Sequence, residues 1–234
     1  MKLFAFDFDK TITFSDTILP ISKHLCKHYK SNYKFLLIQL SYLLFRMNII
    51  SSKSFKENII KILLKGKNVT EVESQVENFF VRYQSELFNP DIMKIIAEEK
   101  KLGNKVIIIS SNLNLFINPV KNFLAVDAVF STKVKVVDNI IQDSIESENC
   151  SGAEKAKILK GYVSQFLFDE IISFGDSYGD FEMLKVSDKS YIADYRFNSL
   201  IDKILCKLNY LTGKTCSKGF EVNFIEFHAE KSSH

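Results

Sequence analysis

The sequence predicts an α/β fold: a doubly wound, Rossmann-like parallel sheet with an inserted α-helical cap. Three observations predict it. Short apolar runs alternate with helical apolar periodicity through the later part of the chain, the pattern of strands joined by crossover helices. The first run, Lys2–Phe6, and the second, Lys105–Ile109, are separated by far more chain than a crossover uses. Acidic, hydroxyl and glycine residues follow the runs, where the carboxyl ends of parallel strands form ligand crevices.

Along the chain, Leu3, Phe4, Ala5 and Phe6 read as a buried strand, which Phe8 continues before Lys10 and Thr11 open a loop. Residues 14–87 contain a single glycine, Gly66, and keep helical apolar spacing throughout. Within them a helix starts at Ser52 or Ser54 and stops at Gly66, and Thr70 caps the next. The stretch Phe35–Ile50 is apolar enough to test as a membrane span. Gln39, Ser41 and Arg46 interrupt it well short of the roughly 20 residues a span needs. It is read as a buried helix, with a place at a membrane interface as the lesser alternative. Lys105–Ile109, Ala128–Phe130, Ile171–Phe174 and Ser190–Ile192 read as further strands. Leu113–Phe123, Ala153–Leu167 and Asp180–Val186 read as helices, and Val136–Cys150 as a β-hairpin or loop excursion. The expected division is a core of residues 1–13 and 88–216, a cap of residues 14–87 over the strand ends, and a tail of residues 217–234.

The composition, 46% hydrophobic and 25% charged over 234 residues, is that of a folded globular protein. A net charge of +3, with lysines spread along the chain, argues against nucleic acid as a partner. Cys26, Cys150, Cys206 and Cys216 have neither metal-ligand spacing nor a disulfide framework, so thiols in a reducing compartment are expected. No signal-peptide pattern precedes the first strand. A cytoplasmic location is expected, and membrane contact is not.

The chemistry-bearing residues sit after the strands. Asp7 and Asp9 close the first one; residues two apart share a side, so both carboxylates reach one place at a cost in repulsion. Ser110, Ser111 and Asn112 follow the second strand ahead of a helix, where hydroxyls and backbone N–H groups suit a phosphate. Lys155 falls in the first turn of a helix, against the helix dipole. Gly175 allows a tight turn, and Asp176 and Asp180 follow it. Taken singly, the first three read more readily as a solvated loop, a helix cap and a surface lysine, whereas Gly175–Asp180 points to a site even by itself. Taken together, four carboxylates near one lysine are destabilising unless a cation joins them, and all-oxygen ligands suit Mg²⁺. A cation, a lysine and a cradle of hydroxyls and amides make a site for a phosphoryl group.

Asp7–Thr11 (DFDKT), Ser110, Lys155 and Gly175–Asp180 (GDSYGD) resemble the four motifs of the haloacid dehalogenase superfamily. The likeness is strongest to its phosphoserine-phosphatase-like branch, subfamily IB, and spans nearly all of residues 2–194. The helical insertion falls where that family carries its cap, and Lys10 stands where many relatives have glycine. The resemblance implies a Mg²⁺-dependent phosphatase hydrolysing a phosphomonoester through an aspartyl-phosphate. It implies Asp7 as nucleophile and Asp9 as general acid and base. Asp7, Asp176 and the Asp9 backbone carbonyl would bind Mg²⁺, with Asp180 holding a water of the ion. Ser110, Ser111 and Lys155 would hold the phosphoryl oxygens.

Substrate choice is expected in the cap, acting as a mobile lid. The branch carries an acidic residue nine positions after the nucleophile, where Asp16 falls, and a cap arginine for the substrate carboxylate. Aligning Ser54–Gly66 to that cap helix puts Asn58 at the arginine's place. Without a bidentate clamp phosphoserine loses its recognition. A cap rich in Phe, Tyr, Leu and Ile leaves an aryl phosphate or phosphotyrosine, on a small molecule or a phosphopeptide, open beside a polar phosphorylated metabolite. A receiver-type signalling domain would place its acceptor aspartate after the third strand and would lack both GDSYGD and the cap. A non-catalytic binding module would not keep every catalytic position filled.

Overall fold

Strand β1 (Lys2–Phe6) is buried from Leu3 onward, and its apolar residues are continuous rather than alternating, as in a strand covered on both faces. The chain then turns through Phe8–Ile12 into a helical block of α1 (Ile18–His28), α2 (Asn32–Arg46), α3 (Ser52–Ile59) and α4 (Val69–Leu87). Helix α5 (Pro90–Lys101), with Pro90 in its first turn, returns it to the sheet as β2 (Lys105–Leu113). Short helices α6 (Asn114–Ile117) and α7 (Val120–Phe123) lead to β3 (Ala128–Thr132) and a hairpin of β4 (Val134–Val137) and β5 (Ile140–Ile145). Then follow α8 (Ala153–Val163), β6 (Glu170–Gly175), α9 (Phe181–Lys185), β7 (Lys189–Phe197) and β8 (Phe220–Glu226). The computed structural model describes residues 1–197, 211–213 and 220–226; Cys206, Cys216 and the tail after Glu226 lie outside them.

The main sheet runs β3-β2-β1-β6-β7-β8 and is parallel except for β8, which is antiparallel to β7. Strands β2 and β6 flank β1 on opposite sides, so the winding reverses at the β1–β6 pair. Phe4, Phe6, Val106, Ile108 and Phe174 face the helical block and α5. Leu3, Ala5, Ile107 and Ile109 face Leu159 and Tyr162 of α8 and Met183 of α9. This period-two division of each strand between two cores is the doubly wound architecture.

All five expected strands are present, but several other expectations are corrected. The helix expected over Leu113–Phe123 is two short ones, because Pro119 has no N–H to continue the first. Helix α8 ends at Val163 rather than Leu167. Asn68, not Thr70, caps α4, accepting from the Glu71 N–H at 3.2 Å. The hairpin begins at Val134 and turns at Asp138 and Asn139, whose φ values of 49° and 63° suit a two-residue type I′ turn. Part of the expected tail belongs to the sheet, as edge strand β8. Helix α2 is not a buried helix: Phe35, Ile38 and Tyr42 face the core, while Leu36, Leu37, Leu40 and Leu43 are exposed.

The helical block is held to the core at two ends. At its base, Thr13 and Phe88 form an antiparallel bridge and the Phe14 N–H donates to the Leu87 carbonyl at 2.9 Å. At its far side, the Gly66 N–H donates to the Ile141 carbonyl at 2.9 Å and the Val69 N–H to the Asn139 carbonyl at 3.0 Å. Phe8 packs edge-on against Phe80 and Phe88, which makes the apolar core continuous from block to sheet. A freely swinging lid is therefore not what the geometry offers. The β4–β5 hairpin clasps the block, and opening would cost those backbone bonds.

Candidate active site

The site grows from the reversal point of the sheet. The Asp7 N–H donates to the Phe174 carbonyl at 2.9 Å, carrying the β1–β6 pairing one step past Phe6. Asp7 is buried there, accepting from Lys155 Nζ at 2.5 Å on Oδ1 and from Thr11 Oγ1 at 3.4 Å on Oδ2. Phe8 turns away into the core. Asp9 accepts from the Thr17 N–H at 2.6 Å and Thr17 Oγ1 at 2.7 Å on Oδ1, and from Asn112 Nδ2 at 2.9 Å on Oδ2. Between them and α1, Lys10 adopts φ 62°, the left-handed conformation that favours glycine. The lysine places its ammonium 2.7 Å from Asp16.

The opposite wall comes from α8 and the loop after β6. Lys155, buried in the first turn of α8, bridges Asp7 and Asp180, with 2.6 Å to Asp180 Oδ1. The other Asp180 oxygen accepts from the Asp176 N–H, the Ser177 N–H and Ser177 Oγ, each at 3.1 Å. Asp180 thus fixes the loop that presents Asp176. Gly175 serves that packing rather than a special backbone angle: a Cβ there would lie 2.5 Å from Asp180 Cβ.

One ammonium shared by two carboxylates leaves this wall short of positive charge. Burial, with repulsion from Asp180 and Asp176 and with Lys155 opposing, holds Asp7 well above the usual carboxylate range. Burial would lower Lys155, but Asp7 and Asp180 outweigh it and raise it above its ordinary value. Burial lifts Asp176 to about 7, against the pull of Lys10 and with a further push from Asp180. Burial and the Asp16 charge raise Asp9 to about 6 against its Thr17 and Asn112 donors. Asp7, Asp176 and Asp180 bring carboxylate oxygens within 4.8 Å of one another. This all-oxygen, under-neutralised set fits a hard divalent cation such as Mg²⁺. The Asp9 carboxylate is not part of that set.

Ser111 lines the crevice together with Asp7, Asp9, Lys155 and Asp176. Ser110 is buried behind it, its Oγ accepting from the Asn112 N–H at 3.1 Å. Both were expected after the second strand and ahead of a helix; they do precede α6, but lie within β2 itself, at its irregular end, where its register with β3 shifts between Ser110 and Leu113. Asp16 reaches the crevice. Asn58 does not: its Nδ2 donates to Ser41 Oγ at 2.9 Å, inside the helical block. From two positions earlier, Lys56 reaches the backbone of Ser111, a residue of the crevice wall. Lys56 is buried and donates to the Ser111 carbonyl and to Asn149 Oδ1. Burial lowers its ammonium to about 8. Sequence reasoning missed Lys56, Thr17 and Ser151, since a lone lysine, threonine or serine on a helix or loop carries no pattern.

The crevice has a volume of about 120 Å³, and among the described residues its lining holds no apolar side chain. A larger cleft of about 630 Å³ lies between α1 and α4, lined by Lys23, Lys27 and Arg82 and away from the carboxylates. Of these two clefts, the smaller gathers the paired acids, the buried lysine and the hydroxyls. Residues 4–185 match the family model of haloacid dehalogenase-like hydrolases. The chain belongs to that family. Among curated proteins, this hydrolase is 24% identical over 189 residues to protein CicA of Caulobacter vibrioides, covering 80% of this chain and 83% of CicA. Its fold is similar to that of a HAD family hydrolase, t0658, from Salmonella enterica serovar Typhi, at a TM-score of 0.60 and 21% identity. That match covers 79% of this chain and 59% of the Salmonella protein, so the chain spans about three-fifths of that protein's length. A substrate-bound phosphoserine phosphatase matches at a TM-score of 0.58 and 18% identity, covering 82% of this chain and 85% of its own.

Proposed function

We propose that this hydrolase is a Mg²⁺-dependent phosphatase that cleaves a small, polar phosphomonoester through an aspartyl-phosphate on Asp7. One observation carries the proposal. A buried carboxylate at the sheet's reversal point is bonded to a buried lysine and stands beside two further acids, over a crevice of about 120 Å³. Ligand pockets for whole small molecules run from about 300 to 1,000 Å³. The crevice therefore suits the phosphoryl group, with the leaving group lying towards Lys10 and Asp16.

In this reading an Asp7 carboxylate oxygen attacks phosphorus and the bond to the leaving oxygen breaks. Asp9, oriented by Thr17 and Asn112, gives that oxygen a proton. Asp9 then takes a proton from the water that attacks the phosphorus of the aspartyl-phosphate, which frees Asp7 and phosphate. Lys155 and Ser111 hold the phosphoryl oxygens, and Ser110 supports the turn that presents Ser111. Asp7 and Asp176, with the Asp9 backbone carbonyl, would hold Mg²⁺, and Asp180 orders the loop around it. The bound ion supplies Lewis-acid neutralisation of the charge that gathers on the phosphoryl oxygens. Residues 14–87 act as the cap that covers the crevice, anchored by the contacts of Lys56.

The case for an aryl substrate weakens on this geometry. Phe35, Tyr42, Phe55, Phe79 and Phe80 are buried in the block's own packing, and the crevice is lined by polar groups. A panel of phosphomonoesters spanning phosphoserine, sugar phosphates, nucleotides and phosphotyrosine peptides, run with Mg²⁺ and with excess EDTA, tests the proposal. Metal-dependent turnover that favours polar small esters is expected. Full activity in EDTA would overturn the metal assignment, and preference for a phosphotyrosine peptide would overturn the substrate class.

A further inference from the structure

Helix α2 is apolar on two faces. Phe35, Ile38 and Tyr42 pack inward. Tyr33, Leu36, Leu37, Leu40 and Leu43 fall on the opposite side, at spacings of three and four residues, and are exposed. Leu36 is 67% exposed and Tyr33 65%, and Met47 and Ile49 extend the row past the helix end at 61% and 60%. A surface helix ordinarily turns charged and polar side chains outward. A contiguous apolar row of this kind marks an interaction face rather than scattered exposure.

The charge around the row indicates what covers it. Between Asp16 and Glu57 the chain has no acidic residue, while Lys23, Lys27, Lys30, Lys34, Arg46 and Lys53 all fall there. This is a concentrated positive block in a chain whose net charge is +3. Lys30 and Lys34 flank the start of α2, and Arg46 and Lys53 flank its end. Among the described residues none of Lys27, Lys30, Lys34, Arg46 and Lys53 forms an ion pair. Among the described residues no helix is long and apolar enough to cross a membrane. Apolar side chains in one row, a tyrosine beside them and unpaired cations at both ends are the features of a helix lying in a bilayer interface.

We propose that α2 docks this hydrolase on an anionic lipid surface, inserting Tyr33, Leu36, Leu37, Leu40 and Leu43 while the flanking lysines and Arg46 meet the head groups. The chain itself returns to this face at Leu211, whose carbonyl accepts from Gln39 Nε2 at 2.5 Å, on the flank of the row. A self-covering segment and a second copy of the chain are therefore the occupants the test must separate from lipid. The test is co-sedimentation with vesicles of phosphatidylcholine mixed with phosphatidylglycerol, and of phosphatidylcholine alone. The wild type is compared with Leu36→Ser/Leu40→Ser and with Lys30→Glu/Lys34→Glu; size-exclusion and melting profiles are recorded without vesicles. Binding to the anionic vesicles is expected to fall at least about tenfold in either variant and in high salt. Hydrolysis of a soluble phosphomonoester, the melting temperature and the elution volume should stay unchanged. Failure of the wild type to sediment with anionic vesicles would overturn the proposal. So would a Leu36→Ser/Leu40→Ser variant that melts lower, with vesicle binding intact, because the row then covers part of its own chain. A wild-type dimer that this variant converts to monomer with no change in vesicle binding would assign the row to a second copy.

Discussion

The crevice at the β1–β6 ends and the outer face of α2 depart from ordinary protein interiors and surfaces in opposite senses. The crevice buries Asp7, Asp180 and Lys155 together, with more negative than positive charge. The outer face of α2 leaves a row of leucines in water. Burying unpaired charge and exposing contiguous apolar surface both cost stability. Each departure makes sense where something absent from the chain completes it: a cation and a phosphoryl group in the first case, a lipid surface in the second. The difference lies in how tightly each is built. Every crevice carboxylate except Asp176 has a side chain donating to it or paired with it at 2.5–2.9 Å, whereas among the described residues the α2 row has periodicity but no fixed partner.

Removing the nucleophile has the largest expected effect. Asp7→Asn keeps the shape of the crevice and lowers its negative charge, so the fold should be at least as stable while hydrolysis falls to background. An active Asp7→Asn enzyme would show that the buried carboxylate is structural. Asp9→Asn comes next, with an expected loss of roughly 10²- to 10⁴-fold in kcat, the usual contribution of a general acid–base group. A rate within threefold of wild type would assign the proton transfers to another residue.

Lys56→Met probes the link between the helical block and the crevice. The loss of its bonds to Ser111 and Asn149 should lower kcat roughly 10- to 100-fold, the cost of a small misplacement of a positioned group. The same variant carries a pH signature. Burial lowers the folded-state Lys56 ammonium from 10.5 to about 8, so the unfolded chain binds more protons between those values. Wild-type stability therefore gains from Lys56 as pH rises from about 8 towards 10, and Lys56→Met should lack that gain. Chemical denaturation of both proteins across this window measures it, and parallel curves would contradict the assignment. The smallest expected effect is that of Asp16→Ala. It frees Lys10 at the mouth of the crevice and should shift relative rates among substrates severalfold while leaving Mg²⁺ affinity in place. Equal losses on all substrates would show that the pair only supports the loop.

The crevice was legible in the sequence because each of its parts is local. Asp7 and Asp9 share a strand end, Gly175 and Asp180 share a loop, and a strand's period fixes where both point. The helical block was legible only as helices. Which helical residue points towards the crevice wall depends on a rotation of one or two positions, and Lys56, not Asn58, is the one bonded to Ser111. The mixed apolar character of Phe35–Ile50 has the same origin: composition counts leucines without saying which face they occupy. Edge strand β8 gave no signal of its own: among the described residues it pairs with β7 alone and runs antiparallel to it, outside the parallel crossover pattern.

Asp7 is the proposed covalent nucleophile of this phosphatase. The direct measurement is an acid quench of the enzyme during turnover of a phosphomonoester with Mg²⁺, followed by peptide mass mapping. One phosphoryl group is expected on the peptide containing Asp7, stable in acid, released in base and absent from Asp7→Asn. A phosphoryl group on Ser110 or Ser111, or rapid turnover with no covalent adduct at all, would contradict it.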